Sequence, residues 1–186
     1  MAKSGHLNLA IRLGILDYWR SSVVYQLIVR NCAVSHSFLL EPGRWKLQGT
    51  WLTRDTLPIP VKGKILVAWK QADCFMIATK ISFLDTDFLE EPPADIVVQS
   101  RGRITTQDRQ YTFVLQHSEL GQAEGEGWIA PESIVQRYWG VSDRHRRTGF
   151  ETLRQISSNK YHFSSGVMSG HYLSSTMEAE LIRQSS

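Results

Sequence analysis

From Arg44 onward, hydrophobic and polar residues alternate along the chain in a series of short segments. In residues 109–117, for example, Tyr111, Phe113 and Leu115 occupy every second position between polar or smaller residues. A period of two is typical of β-strands that bury one face. Segments of this kind, some of them interrupted, occupy residues 44–55, 63–70, 74–83, 96–104, 109–117, 128–130, 133–139, 147–155, 161–167 and 171–183.

Turn-forming residues separate these segments. Residues 85–95 are acidic and contain Pro92-Pro93, which predicts a loop, and the glycine-rich residues 121–127 predict a turn. About nine or ten short strands in succession predict a single antiparallel up-and-down β-barrel over residues 41–186. A barrel of about eight to ten strands has room for its own side chains and one small ligand.

The first 40 residues and the C-terminus have a different pattern. Apolar residues recur at helical spacing over residues 7–31, so we expect residues 1–40 to form a helical or poorly ordered extension. This basic, acid-poor segment also fits a targeting sequence, a helix packed on the barrel, or sequence upstream of the true start. Near the other end, good helix formers leave a helix from Thr176 as an alternative to a strand.

Charge and cysteine content exclude several classes of protein. The formal net charge is +3, but residues 1–40 supply all of it, and the remaining residues carry 17 basic and 17 acidic groups. A neutral body argues against nucleic-acid binding, and no apolar run reaches the roughly 20 residues of a membrane span. With two cysteines and no disulfide framework, we expect a reducing compartment, the cytoplasm, and a structural role for Cys74. The scattered histidines predict no metal site, and we expect no tightly bound cofactor.

One motif connects the barrel to a known family. Gly43-Arg44-Trp45 opens the first strand, where the glycine permits a bend and the indole fills the closed end of a lipocalin-like barrel. Together with the early helix, the stretch Trp128–Pro131 followed by Arg137, and the late strand 146–150, this resembles the S-type phycobiliprotein chromophore lyases. The resemblance implies a lipocalin or fatty-acid-binding type of barrel that binds a linear tetrapyrrole (bilin) and assists its attachment to a phycobiliprotein cysteine.

The candidate site lies on neighbouring late strands. Arg137 and Trp139 share one face of their strand, and Arg147 and Glu151 share a face of the next. If these faces point inward, the arginines are suited to bind ligand carboxylates, and Glu151 to protonate or hydrogen-bond pyrrole nitrogens as the catalytic group. We add Tyr161 as a ligand-binding residue. The alternative is that these side chains face outward and pair across strands, because one sequence does not fix the register.

Three functions remain open at this point. The first is bilin binding with attachment to a phycobiliprotein subunit, for which the basic run at residues 144–147 is either a docking patch or simply a solvated turn. The second is a carrier or sensor for another amphipathic small molecule. The third is an assembly or scaffold factor whose barrel is filled by its own aromatic side chains, of which the chain has six Trp and seven Phe.

Overall fold

The structure is a computed structural model, and it describes residues 36–54, 56–71, 73–87, 89–104 and 109–185. The helix predicted over residues 7–31 lies outside the described residues, so the division between residues 1–40 and 41–186 stays a prediction. The described elements are one short helix followed by ten strands: α1 (Ser37–Leu40), β1 (Gly43–Thr53), β2 (Ile59–Gln71), β3 (Cys74–Phe83), β4 (Ile96–Arg103), β5 (Gln110–His117), β6 (Gly121–Ile129), β7 (Ser133–Gly140), β8 (Arg147–Ser157), β9 (Lys160–Ser169) and β10 (Tyr172–Arg183).

The ten strands form one closed barrel. Each strand pairs antiparallel with the next in sequence, and β10 pairs with β1, with partners running from Trp45–Arg183 to Thr53–Ser175. Closure leaves no strand edge unpaired. The predicted fold, an antiparallel up-and-down barrel of the lipocalin-like kind, is therefore confirmed.

Alternation along the strands divides the side chains between core and surface. In β5 every second residue is buried, including Tyr111, Phe113 and Leu115, as the sequence pattern predicts. The inward positions of the other strands supply the remaining core, which includes Leu47, Val61, Val67, Ile134, Leu153, Phe163 and Leu181.

The turn predicted at residues 121–127 is wrong, because these residues form most of β6. A side chain at Gly127 would overlap the ring of Tyr111, and one at Gly125 would overlap the ring of Phe113. The glycines thus leave space for large rings on the neighbouring strand and do not mark a chain reversal. The reversal comes earlier, at residues 118–120.

The helix considered from Thr176 is also not formed, since β10 continues to Arg183. Met177, Ala179 and Leu181 alternate into the core, and the strand pairs on one side with β1 and on the other with β9. Tertiary pairing therefore overrides the local helix propensity of this segment.

Helix α1 lies at one end of the barrel beside the Gly-x-Trp motif. Trp45 is almost fully buried, and its ring packs edge-on against those of Phe38 and Tyr161. The Arg183 guanidinium lies over the indole, 5.8 Å from its centroid. This end, called the α1 end below, is filled by aromatic rings. The far end carries the turns that follow β1, β3, β5, β7 and β9. In the described part of the chain, no helix has the length and apolar character needed to cross a membrane.

Candidate functional site

An internal cavity of about 90 Å³ extends between the two ends of the barrel. Its lining begins at Phe38 beside the α1 end and reaches His117 at the far end. Most of the wall is apolar, with contributions from Leu47, Ile65, Phe113, Leu153 and Met177. This is room for several water molecules, since a cavity needs about 10–15 Å³ of this kind of volume to hold one.

Glu151 is the one carboxylate on the cavity wall among the described residues. It comes from the middle of β8, where its pairing partners are Gln136 on β7 and Ser165 on β9. The Gln136 Nε2 amide donates to Glu151 Oε2 at 2.5 Å, and the Tyr111 hydroxyl donates to Gln136 Oε1 at 2.7 Å. The three side chains thus form a hydrogen-bonded chain that crosses from β5 to β8.

Burial changes the protonation of this group. Loss of solvent raises the pKa of Glu151 above its ordinary value, although the hydrogen bond from Gln136 opposes part of the shift. Burial, together with the nearby Glu151 carboxylate, also raises the pKa values of Tyr111 and Tyr138. Burial thus shifts Glu151 toward its neutral form, which can both donate and accept hydrogen bonds.

His117 supplies a second titratable group to the cavity, at its far end. Its Nδ1 accepts hydrogen bonds from the backbone N–H groups of Glu119, at 3.1 Å, and Leu120, at 3.4 Å. An Nδ1 that accepts must be unprotonated, so the neutral ring carries its proton on Nε2. Burial, with a smaller effect of Arg147, lowers the pKa of His117 to about 4. His117 is therefore neutral at physiological pH.

Arg147 lies at the far end of the barrel and does not line the cavity. Its guanidinium binds the Asp143 carboxylate, with 2.7 Å between Nε and Oδ2, and donates to the Glu119 carbonyl oxygen. Asp143 also accepts from the backbone N–H groups of His145 and Arg147. These contacts lower the pKa of Asp143, chiefly through the Arg147 side chain. The Arg147–Asp143 ion pair stabilises the β7–β8 turn. Ligand binding by Arg147 stays a prediction.

Arg137 and Trp139 lie on the outside of the barrel. The Arg137 side chain is 65% exposed, and it forms an ion pair with Glu126, its pairing partner on β6. Trp139 is 37% exposed, and the guanidinium lies 5.9 Å from its ring centroid. This is the outward, cross-strand arrangement that the sequence left open as the alternative. The structure therefore brings neither residue to Glu151.

Tyr161 is completely buried, yet it is absent from the cavity wall. Its hydroxyl lies 3.2 Å from His36 Nδ1 and accepts from the Phe38 backbone N–H at 3.5 Å. His36 Nε2 is in turn 2.8 Å from the Ala130 carbonyl oxygen. Tyr161 thus attaches the α1 segment to the barrel, and a ligand contact for it stays a prediction.

Of the five residues singled out from the sequence, Glu151 alone lines the cavity. Gln136, Tyr138 and His117 line it too, but the sequence analysis assigned none of them a ligand-binding role. Alternation places Gln136 and Tyr138 on the face opposite to Arg137, so the missing information was which face of β7 points inward. The apolar residues of β7 do not decide it, because Ile134 stands at one phase and Val135 at the other.

Fold comparison identifies a class of ten-stranded, lipocalin-like barrels. The structure is similar to that of an S-type phycobiliprotein lyase from Guillardia theta, with a TM-score of 0.55, 12% sequence identity, and coverage of 78% of this chain and 89% of that one. A redesigned β-barrel bound to DFHBI covers 80% of this chain at a TM-score of 0.43 and 13% identity. No protein-family model matches the chain, and no curated protein sequence matches it. The likeness concerns the fold.

Among the residues that the structure describes, no group of three His, Cys, Asp or Glu side chains is arranged to hold a metal ion. Cys74 is a free, half-buried thiol at the start of β3, where its sulfur lies 3.4 Å from the Asp73 carboxylate. The polar chemistry of the interior is therefore that of Glu151 and its neighbours.

Proposed function

We propose that the barrel interior binds a small, largely apolar molecule, with Glu151 as its polar anchor. The observation that carries this proposal is a carboxyl group on the wall of an otherwise mainly apolar cavity. Burying a carboxyl group costs stability unless it is compensated, and Glu151 has one compensating partner, Gln136, in the contacts described above. Perturbed titratable groups of this kind cluster at functional sites.

We further propose that the ligand is a linear tetrapyrrole, and that the protein assists its attachment to a phycobiliprotein cysteine. The likeness in fold to an S-type phycobiliprotein lyase supports this choice. Glu151 would donate a hydrogen bond or proton to the imine-type nitrogen of the tetrapyrrole, which makes the conjugated system more electrophilic. The partner's thiol would then add to an exocyclic double bond, so that one C–S bond forms and the thiol proton is taken up by the ligand.

The acceptor subunit needs a docking surface on the protein. Arg144 and Arg146 are exposed in the β7–β8 turn at the far end, whereas Arg147 is already bound to Asp143. We propose that Arg144 and Arg146 attract an acidic surface of the phycobiliprotein subunit. Salt would then weaken the association.

The size of the cavity favours a second candidate. Pockets for drug-sized ligands enclose about 300–1,000 Å³, whereas this cavity has about 90 Å³. A tetrapyrrole therefore requires the lining side chains to move apart. If they do not, the barrel is filled by its own side chains, and the protein is a scaffold or assembly factor. A carrier or sensor of a ligand smaller than a tetrapyrrole would require less movement of the lining side chains.

One experiment separates the three functions. Purified protein is titrated with a bilin while its absorbance and tryptophan fluorescence are recorded, and an apo-phycobiliprotein is then added. Pigment that stays on the acceptor in a denaturing gel supports attachment. Binding without transfer supports a carrier, and absence of a spectral change both with the bilin and with lipophilic probes supports the scaffold.

Two matched variants test the anchor within that experiment. Glu151→Gln keeps the shape of the side chain but removes the acid, so we expect weaker bilin binding and loss of transfer. Glu124→Gln makes the same change at an exposed position on β6 and is expected to behave as the wild type. Equal binding and transfer in the two variants would remove Glu151 from the proposed site.

A further inference from the structure

The cavity has no positively charged lining group among the described residues. Its polar side chains are Glu151, Gln136, Tyr138, His117, Thr79, Ser100 and Ser165. All of these except Glu151 are neutral at physiological pH, and His117 is neutral because its pKa is about 4. The cavity wall therefore offers hydrogen-bond donors and acceptors and a potential negative charge, but no cation.

The two arginines that the sequence suggested for ligand carboxylates form ion pairs outside the cavity. Arg147 is held at the far end by Asp143 and the Glu119 carbonyl group. Arg137 is on the outer surface, paired with Glu126. Moving either guanidinium into the cavity would break an ion pair and bury a charge.

We propose that the barrel interior selects a ligand headgroup that is neutral or positively charged and donates hydrogen bonds, and that it excludes carboxylates. This inference rests on the proposed binding function and specifies its ligand class. A buried carboxylate ion with no cation beside it costs several kcal/mol. A hydroxyl or amide donor bonds to Glu151 without introducing charge, and an ammonium group finds its counter-ion there.

This selectivity restricts how a fatty acid or a bilin binds. A fatty acid does not enter with its ionised headgroup inside. A bilin places its ring nitrogens, N–H donors included, toward Glu151, while its two propionates remain outside the cavity.

The test uses three small probes with the same alkyl chain: hexanol, hexylamine and hexanoate. Binding is followed through the indole N–H signal of Trp51, which lines the cavity, in ¹H–¹⁵N NMR spectra. The exposed Trp128 reports non-specific binding on the outer surface in the same spectra. We expect hexanol and hexylamine to bind at least about tenfold more tightly than hexanoate.

A pair of variants assigns this preference to one carboxyl group. In Glu151→Gln we expect hexylamine to lose about tenfold in affinity relative to hexanol, because its counter-ion is gone. The exposed Glu124→Gln variant should keep the wild-type order. Because the wild-type ranking needs no variant, poor folding of Glu151→Gln leaves the main test intact.

The outcomes distinguish this inference from the function on which it rests. Hexanoate binding as tightly as hexanol would overturn the exclusion of carboxylates while leaving interior binding in place. No Trp51 response to any of the three probes would contradict interior binding itself, and the inference with it.

Discussion

At the scale of single residues, Glu151 and His117 are two titratable groups of the interior whose pKa values burial shifts in opposite directions. Their effects on the pH dependence of stability are therefore opposite. Burial raises the pKa of Glu151 and lowers that of His117. Burial therefore favours the neutral form of each group in the folded protein. Alternation in the sequence correctly put Arg147 and Glu151 in phase on β8, but it could not show which residues of β7 point inward. That information comes from the closure of the barrel, which fixes the inward face of every strand.

Glu151 should make the protein less stable as pH rises. The folded state retains the carboxyl proton above pH 4.5, the ordinary pKa, whereas the unfolded chain loses it there. The free energy of unfolding of the wild type should therefore fall, relative to that of Glu151→Gln, from about pH 4.5 upward. Urea denaturation of both proteins between pH 4 and pH 8 measures this difference. Parallel curves would show that Glu151 ionises as freely in the folded state as in the unfolded chain.

His117 should have the opposite effect. Its pKa is 6.5 when unperturbed and about 4 in the folded protein, so the unfolded chain takes up a proton first as the pH falls. About 3 kcal/mol of stability should be lost between pH 6.5 and pH 4. His117→Asn retains an acceptor for the backbone N–H groups but does not titrate, so its unfolding curve should lack this loss. The exposed His162→Asn serves as the control; an unchanged acid slope in His117→Asn would contradict the assignment.

At the scale of elements, large rings on one strand lie over glycines on the next. Tyr111 lies over Gly127, Phe113 over Gly125 and Tyr138 over Gly149. In the sequence such glycines look like turn signals, which is why β6 was mistaken for a turn followed by a short strand. The ring that needs the space is more than ten residues away, so no local pattern reveals it.

Replacing Gly127 tests this packing. Gly127→Ala introduces a methyl group where the Tyr111 ring lies, and we expect a loss of about 1–3 kcal/mol in unfolding free energy. The double variant Gly127→Ala/Tyr111→Leu should lose less than the sum of the two single changes, because the smaller side chain relieves the overlap. Strict additivity in this cycle, measured by urea denaturation, would show that the two residues do not compete for space.

The attachment of α1 gives a second prediction at this scale. Tyr161→Phe removes the hydroxyl that bonds with His36 and the Phe38 backbone. We expect it to destabilise the protein by about 0.5–1.5 kcal/mol and to accelerate amide hydrogen exchange in residues 37–40. Binding of hexanol should be unchanged, since Tyr161 does not line the cavity. A selective loss of affinity with normal stability would instead make Tyr161 a ligand contact, as the sequence suggested.

At the scale of the whole molecule, the sequence predicts the barrel because the pattern that indicates a barrel is local and repeated. Alternation recurs in segment after segment, and Gly43-Arg44-Trp45 marks the first strand. The pairing of β10 with β1 follows from the same pattern, because an open sheet of this length would leave two edges exposed. The content of the interior was not predictable in this way. It depends on how ten strands tilt together, and on which side chains fill the remaining volume.

The central claim is that a small molecule enters this barrel and lies against Glu151. The methionine methyl groups offer the most direct measurement, since Met177 lines the cavity whereas Met76 is half exposed on the outer surface. With ¹³C-methyl-labelled methionine, titration with hexanol should shift the Met177 signal and produce nuclear Overhauser contacts between its methyl group and the alkyl chain, leaving Met76 unchanged. A Met177 signal that stays in place at saturating hexanol, or a shift confined to Met76, would contradict the claim.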